Sequence, residues 1–135
     1  MLTKEFTRPN GIALSPDEKT LYVAQSDRAK MVYISFPVKE DGTLGPSKLL
    51  FDATKWVSGD PGSADGMAVD DKGNLWATAP GGVLILSPEG KPLGRIMMGR
   101  PTANCTFGGK DGKTLFLTAN KLLCKIQTKV AGDGF

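Results

Sequence analysis

Apolar residues in this chain come in short bursts separated by turn chemistry. Leu21–Ala24, Met31–Phe36, Leu75–Thr78, Val83–Ser87 and Leu115–Thr118 are rich in β-branched and aromatic residues, which fit a pleated, half-buried surface. Between the bursts stand Pro16-Asp17, Asp41-Gly42, Gly73-Asn74, Glu89-Gly90 and Asp111-Gly112. These residues favour turns through a preset φ, a side-chain bond to the local backbone, or tolerance of positive φ. No stretch keeps a 3.6-residue apolar period. The 17 Gly and 9 Pro also work against long helices. The pattern predicts an all-β chain.

The bursts repeat. Asn10–Ala24 reads NGIALSPDEKTLYVA, Asp65–Ala79 reads DGMAVDDKGNLWATA, and Asn104–Ala119 reads NCTFGGKDGKTLFLTA. Each opens on Asn or Asp, passes through an apolar strand, turns on polar residues, and enters a second strand at Leu followed by an aromatic. Self-similarity at such a spacing marks a repeat architecture. Short four-stranded meanders radiating round an axis, a β-propeller, fit it better than a sandwich. The reading gives three blades, at about residues 7–52, 62–98 and 100–130. The segment Asp52–Ala64, with Trp56, Gly59, Pro61 and Gly62, is a longer connection between the first two blades. It reads as a surface link anchored by Trp56, with a wall beside a functional site as the alternative.

Composition narrows the chemistry. The chain has 135 residues, 40% hydrophobic and 23% charged, as expected of a folded domain rather than a disordered segment. Its net charge of +3 comes from scattered Lys and Arg, without the clustered basic patch of a nucleic-acid binder. There is no histidine, which excludes His-based triads, His-ligated zinc and an imidazole base. Catalysis must then use carboxylates, hydroxyls, amines or a metal on oxygen ligands. Cys105 and Cys124 form no close metal-binding pair and are expected to be free thiols in buried strands. Asp17, Asp70, Asp71 and Asp111 read as residues closing solvent-exposed hairpins. Met1–Glu5 has no apolar signal-peptide core and no apolar run approaches membrane-spanning length. The expected location is the cytoplasm, with no membrane partner.

Three segments carry a resemblance: Arg8–Asp17 (RPNGIALSPD), Ala64–Asp70 (ADGMAVD) and Ala103–Gly109 (ANCTFGG). In this order they resemble motifs of the gluconolactonase, senescence-marker-protein and luciferin-regenerating-enzyme family, over nearly the whole chain. The resemblance implies a six-bladed propeller of which this chain is the C-terminal half. It implies hydrolysis of lactones, sugar lactones above all, at a divalent metal in the central channel. Asn10 matches the family's mid-chain Asn ligand and Asp65 its Asp ligand. The family's first-blade Glu ligand has no counterpart here, and Ala64 stands where a Pro is common. Calcium is the expected ion, with manganese, zinc and magnesium as alternatives.

On this resemblance Asn10 and Asp65 supply oxygen donors suited to a hard cation. The cation would polarise a lactone carbonyl, with Asp65 as general base. On spacing alone, Asn-Gly and Asp-Gly are equally ordinary turn dipeptides. Asn104 is expected to line the channel. Three readings stand side by side: a metal-dependent lactonase, a non-catalytic binding or interaction module that keeps the fold without a full site, and a fragment whose missing half comes from another chain. Three blades leave open faces at both ends, so a homodimer closing the ring is expected, with any metal on or near the two-fold axis.

Overall fold

A computed structural model describes residues 1–135. It contains eleven strands: β1 (Pro9–Leu14), β2 (Thr20–Gln25), β3 (Val32–Pro37), β4 (Lys48–Asp52), β5 (Met67–Val69), β6 (Leu75–Ala79), β7 (Gly82–Leu86), β8 (Pro92–Met97), β9 (Thr102–Gly108), β10 (Thr114–Ala119) and β11 (Leu122–Gln127). The only helical element is a 3₁₀ turn at Thr54–Trp56, so no helix is long and apolar enough to cross a membrane. The strands form three antiparallel meanders, β1-β2-β3-β4, β5-β6-β7-β8 and β9-β10-β11.

The third sheet departs from the expected four strands. After β11 the chain does not run on as an outer strand. It doubles back beneath the sheets, with Thr128 N–H donating to Lys113 O (2.8 Å) and Gly132 N–H to Gly112 O (3.0 Å). It then reaches the second sheet, where Asp71 N–H donates to Ala131 O (2.9 Å) and Asp133 N–H to Val69 O (3.0 Å). These bonds satisfy backbone groups that a buried tail would otherwise leave unpaired.

Alternating side chains on each sheet face opposite neighbours, and the core lies in the two seams between sheets. In the first seam Tyr22, Ala24, Tyr33 and Leu50 meet Met67, Val69, Leu75 and Leu84. In the second, Trp76 and Val83 meet Cys105, Phe107, Leu115 and Leu117. Tyr33 crosses the first seam with its hydroxyl, which donates to Thr78 O at 2.6 Å. Trp76 meets Phe107 edge-on, with centroids 5.3 Å apart and planes at 81°, the preferred aromatic geometry.

The two cysteines are free, Cys105 buried and Cys124 only partly so. They lie on opposite sides of β10, both opposite Leu117. Cys105 Sγ donates to Trp76 O at 3.2 Å, and burial pushes its thiol up to about 12.

Candidate functional site

Each sheet begins on its inner strand, and the inner strands of adjacent sheets approach closely at the repeat positions. A Cβ built on Gly11 would lie 1.8 Å from the carbonyl oxygen of Asp65. One on Gly66 would lie 2.0 Å from Asn104 Oδ1 and 2.9 Å from Asn104 Cα. Gly66 N–H donates to Ala103 O at 2.8 Å, joining the second and third sheets at this point. The glycine of each Asn-Gly or Asp-Gly pair is therefore set by the approach of the next strand. The turn reading of these dipeptides does not hold: Asn10 and Gly11 lie within β1, and Asp65 and Gly66 lead into β5.

Asn10 and Asp65 thus occupy matching places at the same end of two neighbouring inner strands. Counting back four residues from the paired positions Leu14↔Leu21 and Val69↔Leu75 gives Asn10 and Asp65. The same count from Phe107↔Leu115 gives Ala103, not Asn104. The expected equivalence of Asn104 with Asn10 and Asp65 is off by one residue. The hairpin from Phe107 to Leu115 is longer than that from Leu14 to Leu21, so equal spacing to the Leu-aromatic pair conceals a register change. Asn104 takes the glycine position of the repeat. It is exposed, and its Oδ1 accepts from Cys105 N–H at 2.9 Å.

Two residues that no motif marks hold the site together. Ser26, just past β2, accepts from Asn10 Nδ2 at 2.9 Å and donates to Ala64 O. It links Asn10 to the residue preceding Asp65. Thr78 Oγ1 accepts from Asp65 N–H at 3.1 Å. A lone Ser after a strand carries no sequence signal; for Thr78 the signal is its recurrence as Thr118 in the third segment.

The Asp65 carboxylate is half-buried and takes part in no side-chain hydrogen bond or ion pair. Asn10 has its amide nitrogen engaged by Ser26, which turns its oxygen away from that bond. One anionic and one neutral oxygen donor, both unclaimed, suit a hard divalent cation. No group of three or more His, Cys, Asp or Glu residues gathers here to hold a metal ion.

The connection from Asp52 to Ala64 is fixed at several points. Thr54 Oγ1 accepts from Met31 N–H at 3.0 Å, and Arg28 donates to Val57 O at 3.1 Å. Arg95 of β8 stacks on Trp56, 3.9 Å from the ring centroid, and pairs with Asp60 at 3.1 Å. It also donates to Pro80 O at 2.6 Å. Trp56 is therefore an anchor, with Arg95 as its counterpart.

Asp17, Asp71 and Asp111 are exposed in hairpins, as expected. Asp70 is not. It is fully buried, and its carboxylate accepts from Lys72 N–H (3.0 Å), Asn74 N–H (2.8 Å), Asn74 Nδ2 (3.0 Å) and Trp76 Nε1 (2.9 Å). The Trp76 indole reaches the Asp70 carboxylate and the C-terminal tail bridges the Asp70 backbone at Gly132, contacts that the turn-like sequence does not reveal.

The family description SMP-30/Gluconolactonase/LRE-like region matches residues 1–121. The chain belongs to this family. It is 43% identical over 130 residues to the gluconolactonase of Zymomonas mobilis, covering 93% of this chain and 36% of that protein. The gluconolactonase structure from Xanthomonas campestris superposes with a TM-score of 0.78 at 32% identity, covering 93% of this chain and 39% of the other. The calcium-binding protein regucalcin from Agrobacterium tumefaciens shares the fold, with a TM-score of 0.75 at 22% identity, covering 99% of this chain and 50% of the other. The chain thus spans half or less of each of these three relatives, and its three sheets are part of a propeller.

Proposed function

We propose that this chain contributes part of a lactone-hydrolysing site, with Asn10 and Asp65 as ligands to one divalent cation and Asp65 as general base. The observation that carries the reading is the unengaged, half-buried Asp65 carboxylate beside an Asn10 held by Ser26. Gluconolactonase relatives at 43% and 32% identity support a sugar-lactone-like substrate. Calcium is the ion we propose, with manganese, zinc or magnesium as alternatives; a calcium-binding protein that shares the fold is consistent with a divalent cation. When bound, such a cation supplies electrophilic polarisation of the ester carbonyl.

The chain's own residues do the rest. Ser26 orients the Asn10 amide, and Thr78 holds the backbone at Asp65. The Asp65 carboxylate removes a proton from the attacking water. Water adds to the carbonyl carbon, the ring C–O bond breaks, and the leaving oxygen takes the proton, giving an open hydroxy acid.

Acid release from gluconolactone, followed by pH-stat with and without calcium, tests the reading. Calcium-dependent hydrolysis that Asp65→Asn removes is the expected result. A chain that binds calcium without turnover would instead be the non-catalytic module.

A further inference from the structure

We propose that a cavity at the hairpin end of the first seam binds a neutral polyhydroxyl ligand of monosaccharide size through Tyr22, Asp17 and Asp71. It lies at the opposite end of the inner strands from Asn10 and Asp65 and stands independently of the lactone reading.

The cavity belongs to the junction of the first two sheets. The hairpin from β1 to β2 forms one wall, the hairpin from β5 to β6 another, and Pro88 in the turn from β7 to β8 a third. Its volume is about 400 Å³, within the roughly 300–1,000 Å³ of small-molecule sites. Gly73, with a φ of 79°, holds the walls close: a Cβ there would lie 3.4 Å from Pro88 Cγ and 3.8 Å from Pro16 Cδ. The two proline rings offer C–H surface to the nonpolar face of a ligand.

Two tyrosines of the first seam behave differently. Tyr33 is fully buried and donates its hydroxyl to Thr78 O at 2.6 Å. Tyr22 is only 2% exposed, yet its hydroxyl makes no hydrogen bond within the chain. No unpaired side-chain polar atom is sealed from solvent, so the small exposed area of Tyr22 includes that hydroxyl, at the cavity it lines. A buried phenol without a partner forfeits a hydrogen bond, which a ligand hydroxyl in the cavity restores. Burial first, then the Asp17 and Glu89 carboxylates, raise the acid constant of the phenol. It therefore stays a donor as well as an acceptor.

The rim supplies acceptors. Asp17 Oδ1 accepts from the Ser15 hydroxyl at 2.6 Å and from Lys19 N–H at 3.1 Å, leaving Oδ2 unengaged. The Asp71 carboxylate and the Lys72 ammonium are exposed on the facing hairpin and unpaired, the structure's one ion pair being Arg95 with Asp60. Hydroxyls donate to ionised carboxylates in charge-assisted bonds about twice as strong as neutral ones. The charges select against an ionic ligand. A cation would meet Lys72 in the cavity and Lys19 beside Asp17, and an anion would meet both carboxylates. A neutral polyol uses all of these groups without repulsion.

Titration of the isotope-labelled chain with methyl β-D-glucopyranoside, which carries hydroxyls but no lactone ester, tests the proposal by NMR. Amides from Ser15 to Thr20 and from Asp71 to Gly73 should shift saturably, with a millimolar dissociation constant, ahead of those around Asn10 and Asp65. Tyr22→Phe keeps the ring and should weaken binding about fivefold, the worth of one hydrogen bond. It should melt no lower than the parent, because the hydroxyl has no partner in the chain. Asp71→Asn, on an exposed hairpin, should weaken binding by a similar factor. Methylammonium and acetate, the charged probes, should shift these amides only at higher concentration than the glucoside. Shifts that do not saturate or that centre on Asn10 and Asp65 overturn the proposal. So does either variant binding as the parent does, a lower melting temperature for Tyr22→Phe, or a charged probe acting at lower concentration than the glucoside.

Discussion

Asp65 and Asp70 flank the same short strand and differ in almost every other respect. Asp70, at the hairpin end of β5, is fully buried, with backbone, amide and indole donors all aimed at its carboxylate. Asp65, at the opposite end, is half-buried, and no donor or cation meets its carboxylate. A buried carboxylate persists only when its charge is compensated by hydrogen bonds, and once compensated it has little left to offer a ligand. A carboxylate left uncommitted is free for a cation or a proton. Residue type and strand are shared; hydrogen-bond occupancy separates the committed carboxylate from the uncommitted one.

The comparison is broken most severely at Asp70. Asp70→Ala strands the Trp76 indole and the hairpin donors and should lower stability by about 4 kcal/mol, read by urea denaturation. A loss below about 1 kcal/mol would show that the network is incidental. Next comes the close approach beside Asp65. Gly66→Ala places a methyl against Asn104, backbone included, and should cost about 3 kcal/mol because packed strands must separate. A neutral result would mean that the sheets part easily at the channel end.

Arg95→Ala should cost about 1 kcal/mol, since it removes an aromatic stack and a partly exposed ion pair. The damage should appear as faster proteolysis of the Asp52–Ala64 connection. Asp65→Ala should change stability by less than about 0.5 kcal/mol, yet abolish the rise in melting temperature that calcium gives the parent. Asp111→Ala should leave that rise intact. A calcium response that survives loss of Asp65 removes it from the ligand set.

The smallest effect concerns the thiols. Cys124 should react with an alkylating reagent at pH 8 well before Cys105, whose thiol is buried and pushed up to about 12. An unfolded thiol releases its proton near 8.5, so the folded chain binds more protons above that pH. Cys105 therefore contributes a loss of stability as pH rises through that interval. Equal labelling rates for the two residues would contradict the packing of the second seam.

Much of the fold is legible from the chain alone because its signals are local. Leu21-Tyr22, Leu75-Trp76 and Leu115-Phe116 each start a second strand, and the turn dipeptides between bursts separate the strands. Local signals fall short where distant groups decide. Spacing along the chain misplaces Asn104 by one position because it does not report how many residues a hairpin absorbs. A turn motif makes Asp70 look exposed because it is silent about the Trp76 indole and the C-terminal tail that meet it. Ser26 and Thr78 carried no motif, since one hydroxyl matters only for what stands opposite.

The amino-acid sequence by itself determined the all-β class, the repeat and the family, because strand patterning and short motifs are properties of neighbours in the chain. The tertiary structure alone decided which carboxylate is spoken for, which glycines are forced by an approaching strand, and which apolar residues are left uncovered. Those depend on burial and hydrogen bonding between segments far apart in sequence, and both arise only when the sheets pack.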